Sequence, residues 1–570
     1  MALVVVLVIA TGFNLWWMYL HRRGLPLEID EAGYLQRAVR DADALHAGGL
    51  TSLWSTVRLP DPQAPLLTVV AGVFRWVSGG GIYRLLAVEQ LFYVTAVVST
   101  YLASRRLMNR NWSLLAAVLV ASLPGIVNSS RAFWFAVPAT AMVTATLAAQ
   151  LHSDAFRSRR LSLLWGLLLG LSALSRTVVL ALLPSLVVAA VVTVVLSRPP
   201  RRKQAVHLGM GLGVSLVVAG SWYSATWHQV LQYLTQYGYG VEATHSGSGR
   251  SVFSLGWWLF RINNVVNIEL YAPLALALVL CFVAGLVTWA GHRRAGREPG
   301  ERSRVGWVAD VAVRSLRRPD APVWFLLLGG YLVLSTSSQH GSMFELPLVP
   351  ALCILVVSAA GRSVPFVRPY LAAICLMAAA LSFVGVSGVI PQVSSFSKRL
   401  SAGPVNLVVF DGRGMLLRNA YQDEDAYLRS WLAPSQKMAT FLHGYAETQA
   451  CDPVVFFGVQ DPLFNTNTVD LDYQLTFGSS LPTGLLRTRG EAGETPYQQL
   501  EDPALGIPNL VITGPVASSD RGFSPLAAQG VEVSALIRAG FAPAGHLRLP
   551  DARLMTVWWT HRGPCGPGRP

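Results

Sequence analysis

The sequence predicts a polytopic α-helical membrane protein with a C-terminal α/β domain, and three observations predict it. Of 570 residues, 52% are hydrophobic and 13% charged, against about 25% charged in an ordinary soluble domain. The mean hydropathy is +0.43. Apolar runs of bilayer length recur as far as Ile390, after which the chain becomes polar and turn-rich. The net charge of +14 does not point to nucleic acid, because the arginine clusters lie between apolar runs. There they meet anionic headgroups and set topology.

A spanning helix needs roughly 17–25 mostly apolar residues. About 11 transmembrane helices are predicted: Ala2–Leu20, Tyr83–Ser104, Trp112–Asn128, Trp134–Leu151, Leu161–Leu174, Val178–Leu196, Ala205–Trp222, Leu270–Ala290, Val323–Ser335, Leu346–Ala360 and Tyr370–Ile390. Leu161–Leu174 and Val323–Ser335 are short for a span. Pro65–Val77 is apolar but shorter still and carries Arg75, so it reads as a re-entrant or surface helix.

With that helix kept out of the count, Arg105/Arg106/Arg110, Arg157/Arg159/Arg160, Arg198/Arg201/Arg202/Lys203 and the arginine-rich block 293–318 fall on one side. Excess Arg and Lys mark the cytoplasmic side. Arg22 and Arg23, after the first span, disagree with this orientation and are outvoted. The expected organisation is a membrane domain over 1–390, with a first outer loop at 21–82, and an extracytoplasmic soluble domain over 391–570. The location implied is the plasma (cell) membrane. A long outer loop is expected at His228–Glu269.

In the polar part, Asn406–Phe410, Val454–Phe457, Asn509–Thr513 and Leu554–Trp559 read as short buried strands, and Pro434–Gln449 and Val531–Gly540 as helices. Cys281, Cys353 and Cys375 lie in apolar runs and read as small buried hydrophobes. Cys451 and Cys565 would form a disulfide if the C-terminal part faces an oxidising compartment. The cysteines have no metal-ligand spacing.

Chemistry concentrates just after the first span, at Ile29-Asp30-Glu31-Ala32-Gly33-Tyr34. Beyond it, Leu35, Val39, Ala42 and Leu45 recur at helical spacing opposite Gln36, Arg37, Arg40 and Asp43, the pattern of a helix lying along an interface. Asp30 has two readings that can both hold. It is an N-cap, with Glu31 favourably near the helix dipole, or it is a general base whose carboxylate is tuned by the low-dielectric boundary. A reaction on a lipid-carried phosphate would also need cations where the leaving phosphate gains charge, and arginine's planar fork suits phosphate oxygens. The candidates on the outer side are Arg58, Arg131, Arg176 and Arg250, with His340 on a short loop. Each reads equally as a solvated loop residue or a headgroup contact. Arg176 stands out because it separates two apolar runs, where hydration is limited and a partner is expected.

On these residues the chain resembles the GT-C superfamily of polyprenyl-phosphate-dependent glycosyltransferases, and within it the group of the lipid A aminoarabinose transferase and the protein O-mannosyltransferases. The resemblance covers the membrane part. It is carried by Asp30-Glu31-Ala32-Gly33-Tyr34, by Pro62-Gln63-Ala64-Pro65-Leu66, by 166–177 ending in Leu174-Ser175-Arg176-Thr177, and by Glu345-Leu346-Pro347-Leu348-Val349-Pro350. It implies a GT-C-like membrane fold, Asp30 with Glu31 beside it as the catalytic acids, and basic residues at Arg176, Arg250 and near His340 on phosphate. Beside these, Tyr34 in the acidic motif and the outer-side Arg58 and Arg131 are expected as further substrate contacts. Gln63 and Ala64 stand where the group often has a charged residue before the proline, and Val137 precedes Pro138 where it often has Asp. These departures argue against a bound metal, and no other cofactor is expected.

The expected function is an inverting transfer of a sugar from a polyprenyl-phosphate donor to a bacterial cell-envelope glycan, lipid or protein acceptor. Its partners would be those substrates and membrane lipids, with no nucleic acid. The alternative is a polytopic lipid or glycan transporter or flippase, which would show internal repeats and ionisable groups at mid-membrane. A non-catalytic membrane anchor would not need so many spans.

Overall fold

The computed structural model describes residues 1–197, 201–240, 243, 250–295, 316–339, 341, 343–387, 397–402, 405–411, 425–450, 452–459, 461–485, 508–515 and 533–560. Contacts divide the chain into two compact units. One holds Met1–Tyr19 and Asp41–Met415, the other Leu20–Arg40 and Leu416–Pro570.

The first unit is helical and makes this a multi-pass membrane protein. Among the described residues, six helices are long and apolar enough to cross a bilayer: Ala2–His21, Ile82–Arg105, Thr177–Val195, Arg201–Gly238, Leu255–Ala290 and Arg368–Ser387. The other five expected spans correspond to the shorter helices Arg110–Ala121, Ala136–His152, Arg159–Ala173, Ala321–Ser335 and Leu346–Gly361. Proline accounts for one of the breaks. Leu123 takes an extended ψ of 123°, and a new helix starts at once with Pro124 in its first turn, because the residue before proline avoids the helical region. The apolar segment 65–77 is the 13-residue helix Leu66–Ser78.

Two expectations change here. Arg201–Gly238 is a single 38-residue helix, and Leu255–Asn264 is helical too, so the long loop expected at His228–Glu269 is largely helix. The strand expected at Asn406–Phe410 is present as Val405–Asp411, paired antiparallel with Ser397–Ala402. It belongs with the membrane unit: Val408 is buried with Val127, Tyr271 and Val386, and its N–H donates to Asn267 Oδ1 at 2.8 Å. The polar part therefore begins its own core later than residue 390.

Packing within the membrane unit depends on small residues, since lipid offers no hydrophobic drive for helix association. A Cβ on Gly166 would collide with the carbonyl of Gly211, and one on Gly211 would lie 2.6 Å from the carbonyl of Ser162. The backbones of Arg159–Ala173 and Arg201–Gly238 thus touch directly. Gly166→Leu should destabilise the protein by at least about 1–3 kcal/mol through overpacking. Gly209→Ala, where nothing lies within 4 Å of the added carbon, should be neutral or slightly stabilising. Thermal unfolding in detergent compares the two. Cys281, Cys353 and Cys375 are buried free thiols, as expected; Cys451 and Cys565 lie outside the described residues.

The second unit is α/β. Its five-stranded sheet runs Thr483–Leu485, Val455–Phe457, Leu510–Thr513, Leu554–Trp559, Ala542–Arg548 in spatial order. The first three strands pair in parallel and the last two join antiparallel. Alternate residues serve opposite faces of the sheet. Phe457, Ile512 and Val557 pack with Trp431, Leu442 and Leu25, while Phe456, Val511 and Trp558 pack with Leu536 and Phe541. The helix Leu432–Gln449 and the short helix Val533–Arg538 fall close to their expected places. The helix Thr466–Phe477, closed by an Asn465/Thr468 capping box, and the strand Ala542–Arg548 were not anticipated.

Candidate active-site groups

In the second unit, the acidic segment begins the helix Ile29–Val57. The carbonyl of Glu28 accepts from the Ala32 N–H at 2.8 Å, so Glu28 stands at the cap position and Asp30 lies inside the first turn. The cap expected at Asp30 is displaced by two residues. Both acids remain favourably near the positive end of the helix.

The two expected catalytic acids part company. Glu31 is 1% exposed and takes the Arg22 guanidinium at 2.5 Å, itself 2% exposed. Glu31 therefore has a structural partner in a buried ion pair, beside the catalytic role expected of it. The pair also explains why Arg22 is a poor topology signal. Asp30 is exposed and lies one helical turn before half-buried Tyr34, so the two share a face. The opposite face, with Leu35, Ala38 and Ala42, is buried. Gly33 is needed where it is: a Cβ there would come 2.7 Å from Asn467 Nδ2, the amide that donates to the Ile29 carbonyl at 2.8 Å.

Sequence reasoning missed Glu28. Its Oε2 is buried without a hydrogen-bond partner. Burial, then the charges of Asp30 and Glu31, push its carboxyl up to about 8, with Arg22 opposing. The folded chain therefore keeps a proton that the unfolded chain loses above the ordinary glutamate value of 4.5. Stability should fall as pH rises through that window and level off above about 8. Glu28→Gln should flatten the profile and be the more stable form on the alkaline side, read by thermal unfolding near pH 5 and near pH 9. A second elevated carboxyl in this unit, Asp470, is raised by burial to about 6. It accepts from the Leu481 N–H at 2.7 Å and from Gln36.

In the first unit, charge is buried at one end of three helices. Arg261, 1% exposed, pairs with Glu345. It donates to the carbonyl of Leu334 at 2.9 Å, in the last turn of the helix Gly330–Ser335, and to that of Gln339 at 3.3 Å, in the segment beyond it. Arg176 donates to the Met343 carbonyl at 3.0 Å and lies 4.6 Å over the Phe344 ring. Glu269, 1% exposed, is within electrostatic reach of Glu345, Arg176 and Arg261. Gly125 lets this group close, since a Cβ there would lie 3.0 Å from both Glu269 Cα and a Leu346 methyl. Two arginines and two glutamates thus gather where hydration is scarce, the arrangement that marks a functional group in a membrane protein. Of the four, only Arg176 was a candidate from sequence. Glu345 was seen as a motif residue, while Arg261 and Glu269 were hidden in a segment read as a loop.

The remaining candidates make other contacts. Arg131 is fully buried, donating to Asn14 Oδ1 at 2.9 and 3.1 Å, Ser387 Oγ at 2.9 Å and the Val386 carbonyl at 3.3 Å, with Trp17 beneath it. It acts as a cross-brace between these segments, a structural role beside the substrate contact expected of it. Arg58 is exposed beside Trp54. Arg250 is exposed, donates to the Gly256 carbonyl at 3.0 Å and lies over Phe260. His340 lies outside the described residues.

Comparison with known proteins agrees with this picture at the level of fold. Residues 62–223 match the profile of the dolichyl-phosphate-mannose-protein mannosyltransferases. No curated protein matches the chain. Among solved structures, ArnT from Cupriavidus metallidurans bound to undecaprenyl phosphate is similar over 96% of this chain and 97% of its own, with a TM-score of 0.51 and 14% identity. The oligosaccharyltransferase AglB from Archaeoglobus fulgidus, in complex with an inhibitory peptide and a dolichol-phosphate, is similar over 90% of this chain and 69% of its own, with a TM-score of 0.52 and 12% identity. The chain therefore has the GT-C fold shared by ArnT and AglB, and its residues 62–223 carry the mannosyltransferase profile.

Proposed function

We propose that this protein is a membrane glycosyltransferase that moves a sugar from a polyprenyl-phosphate donor to a cell-envelope acceptor at the plasma membrane's outer face. The carrying observation is the group of half-buried Arg176 with buried Arg261, Glu269 and Glu345 in the membrane unit. It supports a leaving phosphate held by arginine rather than by metal. Arg176 meets the phosphate directly, while Arg261 and Glu345 fix the 334–345 segment it is bonded to. Asp30, exposed at the start of its helix, accepts the proton of the acceptor hydroxyl in an inverting displacement. Arg58 and Arg250 retain solvent access and serve as secondary contacts to the charged substrate. Apolar helix faces groove the polyprenyl chain, and the polar C-terminal unit, placed outside the cytoplasm, handles the acceptor.

The test is reconstitution of the purified chain in proteoliposomes with a radiolabelled polyprenyl-phosphate sugar and envelope extract as acceptor. Transfer of label that persists in chelator supports the reading. Movement of intact lipid-linked sugar across the bilayer without transfer would replace it with the flippase reading. Arg176→Ala should lower transfer by about 10²–10³-fold, the usual cost of removing one donor to developing negative charge.

A further inference from the structure

A second feature of the membrane unit takes no part in that chemistry. A groove of about 1050 Å³ runs between the helix Tyr271–Ala295 and the helical stretch Ala321–Ser335. This matches the upper end of the roughly 300–1,000 Å³ usual for ligand sites. Its walls are Phe282, Leu286 and Trp289 on one side and Trp324, Leu328 and Leu332 on the other. Leu328 is 58% and Trp289 51% exposed, so the trough is apolar and open. At one end stand Arg318, Asp320 and Arg362. Asp320 is buried and takes Arg318 through Nε at 3.0 Å and Nη2 at 2.8 Å, with Arg362 Nη1 at 3.7 Å. Both arginines are half exposed. Among the described residues that line the groove, two cations to one carboxylate leave one positive charge in excess.

The arginine end of the groove is remote from the charged group around Glu269. That group lies at the start of the helix that carries Trp289, about 27 Å away at ~1.5 Å per residue. This is close to the about 30 Å of a hydrocarbon core. The two features therefore sit at opposite faces of the membrane.

We propose that this groove binds an anionic phospholipid, its phosphodiester on Arg318 and Arg362 and an acyl chain along the trough. The charge argues for that occupant: a phosphodiester carries one negative charge, which the single excess cation neutralises. The geometry argues for it too, because the arginines are at the end of the trough with Trp289 and Trp324 nearby, and tryptophan favours the headgroup level.

The full chain would be reconstituted in nanodiscs of phosphatidylcholine containing a minor fraction of phosphatidylglycerol, extracted into detergent, and its retained lipid quantified by mass spectrometry. Phosphatidylglycerol should be enriched over its share of the bilayer. Enrichment should fall about fivefold in Arg362→Gln and again in Arg318→Gln/Arg362→Gln, each arginine near a headgroup contributing about that factor. Arg157→Gln, which removes an exposed arginine elsewhere, should leave it unchanged. Should the double variant fail to fold, because it unpairs buried Asp320, Arg362→Gln alone decides. No enrichment, equal enrichment in Arg362→Gln, or retention of polyprenyl phosphate in preference to phosphatidylglycerol would each overturn the proposal.

Discussion

Asp30→Asn should reduce sugar transfer by about 10²–10⁴-fold, the range for loss of a positioned general base, while leaving donor binding and thermal stability close to those of the parent. The reason lies in the contrast between neighbours. Asp30 is exposed, whereas Glu31 is sealed against Arg22. Glu31→Gln should therefore behave in the opposite way: it strands a buried guanidinium, lowers the unfolding temperature, and reduces transfer only as far as it reduces folded protein. Initial rates at saturating acceptor, set beside unfolding curves for both variants, separate chemistry from structure. An Asp30→Asn enzyme with full transfer would remove the assigned base.

The second large effect is expected at Arg261. Both members of its pair with Glu345 are buried. Removing one partner leaves an uncompensated charge and should cost about 3–5 kcal/mol. Arg261→Met should unfold well below the parent temperature and loosen the segment held through the Leu334 and Gln339 carbonyls. Arg261→Met/Glu345→Gln should recover part of the loss, because a buried pair replaced as a unit costs far less than one broken. The double-mutant cycle, measured by thermal unfolding, gives the coupling directly.

The sequence conveyed class and element positions well where apolar length or strict periodicity decides the structure. Leu554–Trp559 and the helix ending at Gln449 were readable because their patterns admit one answer. The unread elements have weaker local signals. Thr466–Phe477 is rich in Thr, Asp and Asn and rests on a capping box and tertiary burial, and propensity alone does not find such a helix. Of the candidate site, Asp30 and Arg176 were legible because charge beside an apolar run is conspicuous. The structural bonds of Glu31 and Arg131 were hidden for a common reason: a charged residue on a one-dimensional string looks available, and only the fold reveals that Arg22 or Asn14 is bonded to it. Glu269 and Arg261 were missed for the converse reason. Their segment looked like loop, and the bond that gives Arg261 its meaning spans 84 positions to Glu345, counted as 345 minus 261.

The Gly166–Gly211 crossing carries a mechanical consequence. Where main chain rests on main chain, no rotamer can change to let the two helices slide, so they travel as one rod. Any rearrangement that accompanies turnover has to be absorbed elsewhere, and the consecutive glycines at 48 and 49, with Gly49 at φ 63° and ψ −148°, form a joint already bent out of helical geometry.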